Sequence, residues 1–241
     1  MPAIIEKMRE VTLADKVNIL GHSQGTAMMW YALSKKQDYF AERVNRFIAN
    51  AACIFADLEN EGGETYEKLS NVYWQLEKRG IYNLYGNDAA SAGKTGLDCI
   101  ARDDPDCDYY EGEGILPDWP QLARNAVSTA AFLYFGQLTL ERRFQEPQDM
   151  LKYFTGERHT ALVPLSNIDR VAVSIVHSPG DERCAMPFAE WIYTEITTPD
   201  KHLVVHKGDH KTIQFWGDES FASMIDQVIK TGNIVDSSTI L

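Results

Sequence analysis

A parallel α/β sheet split by a mainly helical insertion is the architecture the sequence predicts, on three observations. Short apolar strands alternate with helices at both ends of the chain, the pattern of strands joined by helical crossovers. A Gly-x-Ser-x-Gly run, Gly21 to Gly25, joins the first of those strands to the helix after it. Between the two alternating regions, residues 59–160 are rich in Gly, Asp, Tyr and Trp and break the alternation. The predicted organisation is a core half carrying the Gly-x-Ser-x-Gly turn (1–58), an inserted cap (59–160) and a second core half (161–241).

Each element follows from local pattern. Ala3, Ile4, Ile5 and Met8 suit the end of an amphipathic helix laid on a sheet. Val17–Leu20 is a short continuous apolar strand, the kind buried in a parallel sheet. A helix runs from Thr26 to Leu33, with Lys35 and Lys36 suited to its C-terminal end. Val44 to Phe55 reads as the next strand. Within the insertion, Thr65–Lys78 and Trp119–Glu141 read as helices. Alternation resumes with a strand at Val171–His177, a helix at Phe188–Ile196, a strand at His202–Val205 and a last helix from Glu219 to Lys230. The tail after Thr231 reads as loose.

Composition narrows the function classes. A chain of 241 residues, 44% hydrophobic, can bury a sizeable core. No stretch approaches the length of apolar chain that spans a bilayer. The formal charge of −12 disfavours nucleic acid and anionic membrane surfaces, which repel a polyanion, and is compatible with neutral substrates such as esters. The first residues do not read as a secretory leader. Cys53 lies in an apolar run and reads as a small buried hydrophobe. Cys99 and Cys107 flank a polar stretch, and either close a short surface loop in an oxidising compartment or stay free. Neither belongs to a Cys-x-x-Cys pair, so a metal site is not expected.

The chemistry concentrates at Ser23. A strand-to-helix turn this tight holds the serine in a strained backbone conformation with its hydroxyl exposed. Gly21 and Gly25 are expected to be required because a Cβ at either place would collide with the neighbouring strand or helix. The Gln24 N–H would sit at a helix N-terminus, where it can stabilise an oxyanion. A serine nucleophile needs a base, and the base needs an orienting carboxylate. In an open parallel sheet such residues project from the C-terminal ends of strands. Asp181 follows one strand in a Gly-Asp turn, and His210 follows the next in a loop, 29 positions on. The order Ser23, Asp181, His210 is the order of nucleophile-elbow hydrolases.

Alternatives stay open at this point. Asp181 could be a plain turn residue and His210 a surface histidine. His206, Asp209 and Asp57 are second choices for the base or acid. His202, His206 and His210 are spaced by four, a metal face on a helix, but Leu-Val-Val between the first two argues for a strand. No metal and no other cofactor is expected. Trp74, Tyr73, Phe132 and Tyr134 could line a cleft, though packing is their expected role.

These residues resemble the acid lipases of the α/β-hydrolase fold, which include lysosomal acid lipase and gastric lipase. The likeness rests on Gly-His-Ser-Gln-Gly-Thr (Gly21 to Thr26), on the strand and turn from Asp169 to Asp181, and on the loop from Gly208 to Asp218. Pro-Ala-Ile-Ile-Glu at the start is similar to the family's helix before the turn, and Asn125 to Phe144 to its cap. The resemblance implies Ser23 as nucleophile, Asp181 as orienter, His210 as general base, and a cap over an apolar cleft that admits acyl chains. The implied activity is hydrolysis of lipid esters, triacylglycerol or steryl ester, in a secreted or lysosomal protein. Cys99 and Cys107 fall where the family carries a cap disulfide.

One departure shapes the expectation. The family has several strands and helices before the turn, including the source of a second oxyanion donor, and here 22 residues precede Ser23. The strand at Val17 is then expected to be an exposed edge. The chain is accordingly expected to be a fragment, a piece completed by an N-terminal segment or partner chain, or a non-catalytic subunit that keeps the triad letters.

Overall fold

The computed structural model describes residues 1–55, 66–80, 83–84, 91–92, 127–157, 159–210 and 219–233. Asp57, Cys99 and Cys107 lie outside the described residues, as does the expected helix from Trp119 as far as residue 126. In chain order the first elements are α1 (Pro2–Thr12), β1 (Val17–His22), α2 (Gln24–Arg43) and β2 (Val44–Asn50). Then come α3 (Tyr66–Arg79), β3 (Asn83–Leu84), β4 (Ser91–Ala92), β5 (Val127–Ser128), α4 (Thr129–Glu141) and α5 (Met150–Phe154). The last are β6 (Ala172–His177), α6 (Met186–Glu195), β7 (Lys201–Val205) and α7 (Glu219–Thr231). The chain divides into two compact units, Met1–Asn60 with Leu162–Leu241, and Glu61–Ala161.

The first unit is built on a four-stranded sheet in the order β1-β2-β6-β7, every pair parallel. β2 and β6 occupy the middle and are buried on both faces almost throughout, which is why they read as apolar runs without alternation. Neighbouring residues of a strand face opposite ways, and Phe47 and Ile48 show the result. Phe47 meets Trp30 of α2 edge-on at 4.8 Å between ring centroids. Ile48, with Val176 and Val204, packs against Met224 and Val228 of α7 on the other face. Helices therefore cover both sides of the sheet.

At the N-terminal end of the strands the buried Arg46 guanidinium takes both carboxylate oxygens of Asp200, at 2.8 and 3.0 Å, and donates to Ser174 Oγ. Ser174 in turn donates to the Gly232 carbonyl, fastening the end of α7. These ties lie toward the N-terminal ends of β2, β6 and β7, away from the strand ends that precede Ser23, Asp181 and His210.

The sheet edges differ from its middle. Among the described residues β1 has no strand on its outer side, and Leu20 of β1 and Ile4, Met8, Val11 and Leu13 in and after α1 are exposed. No described helix is long and apolar enough to cross a membrane.

Two local expectations need correction, and one gains detail. β2 ends at Asn50 and not at Phe55, because Ala51 takes a left-handed φ of 49° and turns the chain out of the sheet. The helical stretch after β1 breaks at Lys36 (φ −136°, ψ 38°), where the two lysines suggest an end, and a second stretch carries α2 on to Arg43. Cys53 is buried, as expected, but not as a free thiol: it forms a disulfide with Cys184, 131 residues away. Closing a loop of that length removes on the order of 4–5 kcal/mol of unfolded-chain entropy.

The second unit has its own small core. Leu69, Tyr73 and Leu133 are buried together, with Phe132, Leu140, Met150 and Phe154 packed against them. Tyr73 stacks on Phe154 at 5.0 Å, and Tyr134 donates its hydroxyl to the Gln145 carbonyl. Trp74 is exposed. β3 pairs with β4 in parallel and with β5 antiparallel.

Candidate active site

Ser23 follows β1 directly and caps α2, and its backbone is held at φ 51°, ψ −120°. Such a conformation persists only where the surroundings enforce it. Its N–H donates to the Asn50 carbonyl at 3.1 Å, continuing the β1–β2 ladder past its last register pair. Its carbonyl accepts the Thr26 N–H at 2.8 Å and the Thr26 hydroxyl at 2.6 Å, which closes the first turn of α2.

Gly21 is closely packed, in the direction the sequence indicates, since a Cβ there would lie 3.1 Å from the Phe47 ring and 3.3 Å from the Gly25 backbone. Gly25 is not: a Cβ there meets nothing within 4 Å, so the collision expected at that position is absent. Its backbone is what presses on Gly21. Gln24 opens α2, and an N–H in the first turn of a helix has no acceptor within the helix.

Asp181 and His210 reach Ser23 from the ends of β6 and β7. His210 Nε2 lies 2.9 Å from Ser23 Oγ, and Nδ1 lies 2.9 and 3.0 Å from the two Asp181 carboxylate oxygens. Both side chains are buried. With Nδ1–H facing a carboxylate, the lone pair of Nε2 is left for the serine hydroxyl. Asp181 Oδ1 also accepts the backbone N–H groups of Arg183 (2.9 Å) and Cys184 (2.8 Å). Burial alone would raise the Asp181 carboxyl, but the His210 hydrogen bond and these two N–H donors outweigh it and hold it below the ordinary carboxylate value. The Asp181 carboxyl is therefore ionised at neutral pH. The two loops are tied to each other by Ser178, which accepts the Gly180 N–H at 3.1 Å and donates to the Gly208 carbonyl at 2.5 Å.

The second choices fall elsewhere. His206 is buried, with Nδ1 2.8 Å from the Lys207 carbonyl oxygen and its ring edge-on to Phe221. His202 Nε2 lies 3.1 Å from Asp200, and Asp209 is exposed on the loop. His202, His206 and His210 thus face three different partners.

Sequence reasoning passed over two histidines that end strands at this rim. His177, fully buried, accepts the Ala52 N–H on Nδ1 (3.1 Å) and approaches the Cys184 carbonyl through Nε2 (2.7 Å). Burial holds its pKa down. His22 accepts from Asn50 Nδ2 at 3.0 Å, and its ring lies 5.1 Å from that of His210. Burial first, then the nearby His210, pushes the His22 pKa down to about 4. The available signal was position: each occupies the last residue of a strand, with Ser23 or Asp181 within the next four residues.

A stability consequence follows from His22. Unfolded, it titrates near 6.5, and folded near 4. The unfolded chain binds the extra proton between those values, so this contribution is complete above pH 6.5 and is lost as pH falls toward 4. His22→Gln is expected to shrink the drop in urea midpoint between pH 7 and pH 4.5, with His177 supplying a remaining drop. Equal drops in the two chains would refute it.

Residues 1–75 match the sequence family described as the alpha/beta hydrolase fold. A soluble variant of monoglyceride lipase from Saccharomyces cerevisiae, solved with a substrate analogue, superposes with a TM-score of 0.54 over 95% of this chain and 66% of that one, at 13% identity. The chain has the α/β-hydrolase fold. At that identity the likeness speaks to the fold alone. In sequence, 86 residues (36% of the chain) are 43% identical to lipase lipl-3 of Caenorhabditis elegans, and 87 residues are 32% identical to lipase lipl-1 of the same organism. Each of these matches spans 20% of the relative's own length. The α/β-hydrolase turn, acid and histidine loops described above are all contained in the first unit.

Proposed function

We propose that this chain is a serine ester hydrolase acting on lipid esters of the triacylglycerol or steryl ester type, with Ser23, His210 and Asp181 as its triad. The observation that carries the reading is the unbroken line from Ser23 Oγ through both nitrogens of His210 to Asp181, every step at 2.9–3.0 Å. In this mechanism His210 Nε2 takes the Ser23 hydroxyl proton as Oγ bonds to the ester carbonyl carbon. The carbonyl π electrons move to oxygen, and the Gln24 N–H donates to that oxyanion. The resulting imidazolium is stabilised by ionised Asp181, then protonates the departing alcohol as the C–O bond breaks. Water, deprotonated by His210, attacks the acyl-enzyme, and the returning proton frees Ser23. The similarity to nematode lipases and the absence of net positive charge support a neutral lipid ester as substrate.

The Cys53–Cys184 bond supports folding in an oxidising compartment, in keeping with a secreted or lysosomal location. A second reading, a non-catalytic or partner-dependent subunit, is favoured by the outer edge of β1, unpaired among the described residues, and by the exposed apolar residues of α1, where a complementing segment or partner chain would pair.

A fluorophosphonate probe separates the two. Covalent labelling of the full chain at Ser23, abolished in Ser23→Ala, is the expected result. A chain with native circular dichroism that takes up no label would overturn the hydrolase reading and leave the subunit.

A further inference from the structure

We infer that the Cys53–Cys184 disulfide is a positioning element for the catalytic acid, and not only a staple of the core. The inference rests on the triad reading above. Asp181 is oriented by few groups: Oδ2 meets His210, and Oδ1 meets His210 and the N–H groups of Arg183 and Cys184, that of Cys184 being the shortest at 2.8 Å. Whatever fixes the backbone at Cys184 therefore fixes the carboxylate.

Two ties do so, and both lead to the turn after β2. The Cys184 carbonyl is held through His177 to the Ala52 N–H, and the Cys184 sulfur is bonded to Cys53. Cys184 Sγ also lies within 4.8 Å of an Asp181 carboxylate oxygen and a His210 ring nitrogen, so the disulfide sits beside the pair. From Cys53 the line continues to the nucleophile. The Cys53 N–H donates to Thr26 Oγ1 at 2.9 Å, and that hydroxyl donates to the Ser23 carbonyl at 2.6 Å.

The result is a closed ring of contacts: Ser23, Thr26, Cys53, Cys184, Asp181, His210 and back to Ser23. One side of the ring is the proton path. The other is a covalent strut that sets the spacing between the nucleophile and the acid independently of the histidine between them. Cutting the strut leaves the His177 hydrogen bond as the remaining described tie from Cys184 to the turn after β2, and the Arg183–Cys184 backbone gains freedom to rotate away from Oδ1. A hydrogen-bonded pair loses strength steeply as its angle opens, so a small rotation suffices.

The test is reduction of the folded full chain by tris(2-carboxyethyl)phosphine, in which water supplies the oxygen of the phosphine oxide and the S–S bond becomes two thiols. Two readouts are taken with near-ultraviolet circular dichroism as the check on folding. One is the low-field proton resonance of His210 Nδ1–H against Asp181, which needs no substrate. The other is kcat and KM on a p-nitrophenyl ester.

The expected result is broadening or loss of the resonance and a 10- to 100-fold fall in kcat, with KM within about two-fold. Cys53→Ala/Cys184→Ala should show the same low kcat and no further response to the phosphine. An unchanged resonance or an unchanged kcat in the reduced, folded chain overturns the proposal, and so does a reduced chain that simply unfolds. A parent chain that shows the resonance but hydrolyses no ester would count against the triad reading, while the resonance still decides the role of the disulfide.

Discussion

Replacing His210 by Gln is expected to lower kcat for a p-nitrophenyl ester by about 10⁴–10⁶-fold, with KM changed by far less. The size follows from what the imidazole does alone. Its Nε2 sits 2.9 Å from Ser23 Oγ, and the next ring on that side, His22, has its own Nδ1 engaged with Asn50. A hydroxyl without a base is a weak nucleophile at neutral pH, and the whole proton path goes with the ring. Asp181→Asn is expected to cost about 10⁴-fold while leaving the geometry close to intact, because an amide donates toward Nδ1 and favours the wrong tautomer. The double variant should be little worse than His210→Gln, since residues acting as a unit do not add. Steady-state kinetics on the four chains checks this, and additive losses would break the assignment of one proton path to both residues.

Gly180→Ala is expected to lower kcat by about 100-fold although residue 180 is no part of the Ser23–His210–Asp181 line. Its Cβ would be driven into the Gly208 carbonyl oxygen, a backbone atom that no side-chain rotation can move aside. The same carbonyl is the acceptor for Ser178 Oγ, so the one substitution would part the acid turn from the histidine loop at the Ser178–Gly208 hydrogen bond. His210 follows Gly208 by two residues, and a displacement near 1 Å there is enough for a loss of that order. Gly25→Ala should cost much less, because its Cβ has open space. Kinetics with far-ultraviolet circular dichroism as a fold control checks the pair. Equal losses at the two glycines would show that the loop contact is not what holds the histidine in place.

What was legible in the sequence was what is local or periodic. The turn at Ser23 announces itself within nine residues, strand then glycines then helix, and the structure keeps that order with Ser23 alone between β1 and α2. Asp181 and His210 were legible because both follow apolar strands, and a parallel sheet sends the ends of its strands to one rim. What escaped was set by contacts remote in sequence. Cys53 and Cys184 lie 131 residues apart in unrelated local contexts, so nothing near either one signals the other. Ala51 ends β2 through a backbone angle that its side chain does not encode, and apolar residues up to Phe55 therefore looked like more strand. His22 and His177 were missed because a buried neutral histidine leaves no periodic trace. Gly25 was overread, since the usual pairing of two glycines does not say which of them carries the steric demand.

The dihedral angles at position 23 place an L-amino acid where only glycine rests at ease, at a cost of roughly 1–3 kcal/mol. A bare hydrogen in place of the hydroxymethyl group would sit there unopposed, and the turn would relax around it. Durability and reactivity are thus set against each other in a single residue. A molecule released from any need for the alcohol would have an easy route to greater heat tolerance, open at this one position and closed to every chain that still depends on it.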